Sequence, residues 1–202
     1  VSISNSTQFS SPFKMPEFQN IYPNRPGEIR SWGEPGTSEY TGFEPKDFFN
    51  TGSNVQNNVS LTIGNNKNQS YVSIGTTNAA GIIPNNKYNR YNFTFRNTTS
   101  FLDDRMTLDV TASYIMQNDR NMTNQGVYNN PVVGAYLFPR GNDWEDIRMY
   151  ERFDTARSIY TQYWPVGDAG MTMQNPYWIN YRNLRVNKKD RYMLGAGLSY
   201  KI

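Results

Sequence analysis

Between residues 55 and 116 the chain is dominated by two-residue alternation, broken only where turn-forming residues cluster. Val55, Val59, Leu61 and Ile63 alternate with Gln56, Asn58, Ser60 and Thr62. Gly64-Asn65-Asn66-Lys67 turns the chain, and Tyr71-Val72-Ser73-Ile74 carries it back. After Gly81-Ile82-Ile83-Pro84-Asn85-Asn86, Tyr91, Phe93 and Phe95 alternate with Asn92, Thr94 and Arg96. Leu102-Asp103-Asp104-Arg105 turns it again, and Met106, Leu108, Val110, Ala112, Tyr114 and Met116 alternate with Thr107, Asp109, Thr111 and Ser113. Period two sends successive side chains to opposite faces, so each run has one apolar and one polar face. The expectation is an all-β antiparallel up-and-down meander.

The flanks extend it to about six strands. Val1, Ile3 and Phe9 alternate with Ser2, Ser4 and Ser6 in a first strand, and a second descends from Phe48. The last strand is expected over Arg191–Ile202, with Tyr192, Leu194, Ala196, Leu198, Tyr200 and Ile202 on one face. Residues 10–47 are punctuated by Pro12, Pro16, Pro23, Pro26, Pro35 and Pro45 and by Gly27, Gly33, Gly36 and Gly42, which forbid a long regular element. Residues 118–189 make a second long connection, in which Asn142-Asp143-Trp144-Glu145 has capping-box spacing and predicts a helix to about Ser158. Connections at 10–47, 80–88 and 118–189 then share one rim, and the tight turns at 64–67 and 102–105 share the other. Loops this long are uncommon in compact domains, whereas transmembrane barrels pair short turns on one side with long loops on the other.

Mean hydropathy is −0.76 and the longest near-apolar run, Val132 to Phe138, is far short of a spanning helix, so a helical membrane protein is excluded. A β-barrel is not, because its strands alternate. Tyr192 and Tyr200 lie on one face, eight residues apart. At ~3.3 Å per residue and ~40° of tilt they span roughly 20 Å, near the apolar band of such barrels. The absence of Cys excludes a disulfide scaffold or thiolate site, and the absence of His removes the commonest general base and metal ligand. A net charge of +3 from interspersed residues of both signs does not argue for nucleic acid. The chain starts at Val1 with no visible targeting segment and stops within an alternating run, which suggests an excerpt from a longer protein.

Several stretches in this order carry a family resemblance. They are Asp47-Phe48-Phe49-Asn50-Thr51-Gly52, Asn58-Val59-Ser60-Leu61, Gly64-Asn65-Asn66-Lys67 leading to Tyr71-Val72-Ser73, Gly81-Ile82-Ile83-Pro84-Asn85, and Tyr88-Asn89-Arg90-Tyr91-Asn92-Phe93-Thr94-Phe95-Arg96. Tyr136-Leu137-Phe138-Pro139-Arg140-Gly141, Asn175-Pro176-Tyr177-Trp178 and Asn187-Lys188-Lys189-Asp190-Arg191-Tyr192 continue it. The succession resembles the early barrel of the SusC/RagA family of TonB-dependent outer-membrane transporters. Ile63, where that family commonly has glycine, and Asn66, where an acid is usual, depart from it in turn chemistry alone. The resemblance implies part of a ~22-stranded plugged transmembrane β-barrel. Loops 10–47 and 118–189 would be extracellular, with a SusD-like lipoprotein as lid. It further implies import of glycans, oligosaccharides or peptides, powered through TonB by a segment lying elsewhere in the parent chain. The other reading of the residues is a soluble all-β glycan-binding module, such as a sandwich, which fits the alternation but not the rim asymmetry.

No cofactor and no catalytic constellation is expected. Asp103-Asp104 suits a tight turn, Glu145-Asp146 suits a helix start, and Gly64 to Ser70 lacks phosphate-loop spacing. Six Asn-x-Ser/Thr triplets are expected in a chain this rich in Asn and carry no weight for glycosylation. Lys188-Lys189-Arg191 reads as a solvated strand entrance. The candidate contacts to substrate or lid are Tyr136, Phe138, Arg140, Trp144, Tyr163, Trp164, Tyr177 and Trp178, within a loop that also holds Tyr150, Phe153 and Tyr160 beside Arg148 and Arg152. Tyr and Trp join apolar area to a hydrogen-bonding tip. The same aromatics would equally serve as the loop's own small core.

Overall fold

The computed structural model describes residues 1–36, 44–165 and 174–201; Gly42 and Ile202, to which the sequence assigns places in a loop and a strand, lie outside them. Among the described residues, six strands form one antiparallel sheet: β1 (Ser2–Ser10), β2 (Gly52–Gly64), β3 (Asn68–Ala80), β4 (Lys87–Phe101), β5 (Met106–Arg120) and β8 (Val186–Tyr200), paired in that order. The expected meander is present as an open sheet whose edges are β1 and β8.

Every register runs residue for residue, so parity is preserved across the sheet. One row reads Ile3, Val59, Ile74, Phe93, Tyr114 and Tyr192; the next reads Leu61, Val72, Phe95, Ala112 and Leu194. On this face Phe93 stacks on Tyr114 (6.4 Å between ring centroids) and Tyr114 on Tyr192 (4.7 Å), cross-strand pairs that reinforce register. Yet the face is bare: Ile3 is 76% exposed, Tyr192 72%, Leu194 85% and Leu198 62%.

Small polar networks interrupt this face towards both rims. Towards the long loops Asn5 Nδ2 donates to Asn57 Oδ1 (2.6 Å), and Asn78 Nδ2 donates to Asn89 Oδ1 (3.2 Å). Towards the tight turns Asn97 Nδ2 donates to Asn68 Oδ1 (3.1 Å) and Ser70 Oγ (2.9 Å), while Asn68 Nδ2 donates to Thr99 Oγ1 (2.9 Å). The opposite face is polar throughout β1 and β2 and holds the Arg96–Asp109 ion pair, with Thr98 Oγ1 donating to Asp109 Oδ2 at 3.1 Å.

The connections sort as expected: 11–51, 81–86 and 121–185 on one rim, 65–67 and 102–105 on the other. Element bounds differ in three places. The second strand starts at Gly52 rather than Phe48, because Pro45 opens a 3-10 turn (Pro45–Phe48) that aims Phe48 into a core. The last strand starts at Val186, since β5 continues to Arg120 and its ladder needs a partner there; Asn187 Nδ2 donates to Asp119 Oδ1 at 2.8 Å.

The predicted helix to Ser158 covers only α2 (Trp144–Arg148), capped by Asp143 and not Asn142. Residues beyond it form a hairpin, β6 (Glu151–Asp154) with β7 (Ile159–Gln162), turned where Asp154 Oδ1 accepts from Arg157 N (3.1 Å). Aromatic and β-branched residues favour that pairing, with Phe153 and Tyr160 edge to face at 5.1 Å. Two further helices, α1 (Pro131–Leu137) and α3 (Pro176–Tyr181), complete the loop.

Gly64 closes β2 at φ +148, and a Cβ there would press on the Asn68 carbonyl. Gly64→Ala is expected to cost ~1–3 kcal/mol in equilibrium denaturation and to speed amide exchange across residues 60–72, where the β2–β3 register is set.

A candidate binding cap at the long-loop rim

The long connections fold into a cap with a core separate from the sheet faces. Phe48, Ala135, Phe138, Trp144 and Ile147 are buried together, with Ile29, Phe49, Ile83, Tyr136, Trp164 and Tyr177 packed around them. The rings meet mostly edge on: Phe48 with Tyr177 (5.6 Å) and Trp144 (6.3 Å), Phe138 with Trp144 (5.5 Å), and Trp144 with Tyr177 (6.1 Å). Such pairs add ~0.5–1.5 kcal/mol each beyond the area they bury.

Asparagines make the connections that regular structure would otherwise make. Asn175, fully buried, accepts from Tyr177 N (2.9 Å) to start α3 and donates to the carbonyls of Ile147 (2.8 Å) and Tyr163 (3.0 Å). Asn24 donates to Asn142 Oδ1 (2.8 Å) and accepts from Gly141 N (2.9 Å), joining the first loop to the last. Asn85 and Asn121 both donate to the Asn180 carbonyl (2.7 and 2.8 Å), joining the middle loop to α3.

Arg140 is likewise internal. It donates to Asn20 Oδ1 (2.6 Å) and pairs with Glu44 (3.3 Å), with its guanidinium 5.5 Å from the Phe18 ring centre.

Of the eight candidate contacts, the cap core unites five aromatics: Tyr136, Phe138, Trp144, Trp164 and Tyr177. Arg140 is buried beside the first loop. Tyr163 is half-buried with the Arg152 guanidinium 3.6 Å from its ring centre, and Trp178 is half-buried in α3. Burial raises the Tyr177 phenol above its ordinary range, so it is a neutral hydrogen-bonding group at physiological pH.

Between the first loop, the 3-10 turn and α2 lies a cleft of about 710 Å³. Phe49 and Trp144 give it aromatic surface, while Lys46, Asp47, Glu145 and Arg148 give it charges of both signs. Trp144 alone among the candidates lines it. The combination offers ring stacking and hydrogen bonding; among the described residues no cluster of three or more acids exists to hold a metal ion. Phe49, Lys46 and Asp47 escaped the sequence reading because they sit next to a strand signal. The Asn-Pro pairs at 130–131 and 175–176, an N-cap followed by proline, are the signal that would have located α1 and α3.

Asn175→Ala would strand two buried carbonyls and uncap α3, costing ~2–4 kcal/mol. Protease sensitivity should rise within 121–185 while cleavage inside the sheet stays unchanged.

Arg182 holds the Glu151 carboxyl below the usual carboxylate range through a bidentate contact (Nη2–Oε1 2.7 Å). A depressed folded-state pKa adds stability that is complete above the unfolded value, about 4.3, and drains as pH falls towards the folded value. Amide exchange in the 151–162 hairpin, compared at pH 6 and pH 3 after correction for intrinsic rates, should accelerate at the lower pH, and Glu151→Gln should remove that difference. No family model matches this chain, and no curated protein matches it.

Proposed function

We propose that this chain forms part of the wall and outer cap of a transmembrane β-barrel in the bacterial outer membrane. The barrel would be the ~22-stranded kind that the family resemblance implies. In this reading it is an active transporter that takes up glycans, oligosaccharides or peptides with a SusD-like lid lipoprotein. Its energy arrives from TonB through a part of the polypeptide beyond these residues. It is not an enzyme and has no nucleic-acid partner.

The observation that carries the reading is the bare apolar face. Ile3, Val59, Ile74, Phe93 and Tyr192 form a row across the sheet and are exposed, while the polar face sits behind them. A soluble β-sheet buries its apolar face against a second layer. Here the hydrophobic core lies in the cap, at the end of the sheet and not over it. Acyl chains would cover the apolar face at no cost in unsatisfied polar groups, since the ladder satisfies the backbone. The free edges of β1 and β8 would pair with further strands to close the wall. Placement of the cap on the long-loop rim gives it the outward side, where its cleft of about 710 Å³ would meet cargo or lid. No helix among the described residues is long and apolar enough to cross a membrane, which is neutral for a barrel.

Two measurements test this on the complete polypeptide. Unboiled samples in detergent gels should migrate differently from boiled ones, and solubility without detergent would refute the reading. Leu194→Arg, on the apolar face, should lose ~2–4 kcal/mol of folding stability in lipid, whereas Thr94→Arg on the polar face should lose under ~1 kcal/mol.

A further inference from the structure

At the end of the sheet that carries the long loops, the apolar face changes chemistry. Lys87 opens β4 and Arg120 closes β5, and the two stand directly opposite each other. Lys188 on β8 faces Asn118, one diagonal step from Arg120. All three share parity with Tyr91, Tyr114 and Tyr192, so they project from the apolar face, and all three are exposed.

Like charges directly opposite on neighbouring strands destabilise the pair. Among the described residues no ion pair reaches any of the three. Asp190, on the same face, accepts a hydrogen bond from Tyr114 Oη (2.6 Å). Asp119 projects to the opposite face and accepts from Gln117 (3.2 Å) and Asn187 (2.8 Å). The tight-turn rim is different, since its 102–105 connection itself carries two acids, Asp103 and Asp104, next to Arg105.

We propose that Lys87, Arg120 and Lys188 bind the phosphorylated headgroup of a lipid whose acyl chains lie along the apolar face. The proposal rests on the reading of the sheet as a membrane wall. An arginine fork and two lysine point charges suit the oxygens of one phosphate. Their aliphatic stems can run along the apolar band while the charged ends rise to headgroup level. The bound anion would relieve the Lys87–Arg120 repulsion. Free phosphate would meet only solvent-screened charges and gain nothing from the apolar band.

The test uses the complete polypeptide in neutral detergent, with dioleoyl phosphatidic acid as probe and dioleoyl phosphatidylcholine as control, and reads retained lipid by native mass spectrometry. The unaltered protein should retain roughly tenfold or more phosphatidic acid than the triple variant Lys87→Gln, Arg120→Gln, Lys188→Gln. Phosphatidylcholine retention should be equal in the two, and excess inorganic phosphate should leave the difference in place.

Equal retention of phosphatidic acid overturns the site. Displacement by inorganic phosphate to the variant's level also overturns it, in favour of a free-anion site. Arg120→Glu, which sets an acid opposite Lys87 and so favours the strand pair, should show the same loss and covers the case in which the triple variant does not fold. Heat-modifiable migration is scored on every sample. Its absence in the unaltered protein refutes the membrane wall and the site together. A normally migrating barrel that does not discriminate between the lipids refutes the headgroup site alone.

Discussion

Everything in this fold depends on an antiparallel ladder that runs without a bulge through five successive strand pairs. Because the side-chain period is two, a slip of one residue in any pair would carry that strand's hydrophobic set to the polar face. The tight turns at 65–67 and 102–105 hold the register at one rim. Asn65 Oδ1 accepts from Lys67 N and Asn68 N, both at 2.9 Å, and Leu102, Asp103 and Asp104 all take positive φ. Stacking of Phe93, Tyr114 and Tyr192 holds register in mid-sheet. The sheet is thus specified by backbone pairing and side-chain contacts within the layer, and the hydrophobic core of the described residues lies in the cap.

The cap obeys the opposite logic. Its short helices are too short to be stable alone, so its stability comes from buried rings and from asparagine side chains bonded to backbone groups. A primary amide offers donor and acceptor at one site and reaches carbonyls that a helix or sheet would have paired. Asn175 shows the gain and the risk: fully used, it joins α3, Ile147 and Tyr163, and removing it leaves their carbonyls buried without a donor.

The sheet was legible from residue pattern almost strand by strand, because alternation reports directly on a half-exposed layer. The strand ends were not. Lys87, Arg120 and Val186 to Lys189 lie where charge and polarity hide the period, although the ladder continues through them. In the cap, aromatic crowding was legible as either a ligand surface or an internal core. Composition could not divide the rings between those roles, because burial of Phe138 and Trp144 depends on contacts with Phe48 from another loop. Phe48 itself carries a strand signal, since the effect of Pro45 on its direction is a backbone constraint that periodicity does not register. The hairpin at 151–162 was lost to a helix signal that is genuine for five residues and then gives way to β-branched and aromatic residues.

One chemistry therefore serves two surfaces of opposite sense. Aromatic and aliphatic side chains placed at period two end up exposed on one face of the sheet, as Ile3, Tyr192 and Leu194 do. The same residue types in irregular segments end up inside, around Phe138 and Trp144. The two parts are joined through backbone, not through a shared core: Asn50 N donates to the Ile82 carbonyl (2.7 Å) and Asn121 N to the Arg185 carbonyl (2.7 Å), each just beyond a strand end. Each bond fixes the path by which the chain leaves its strand and enters the cap, so the ladder's register sets where the cap's loops begin.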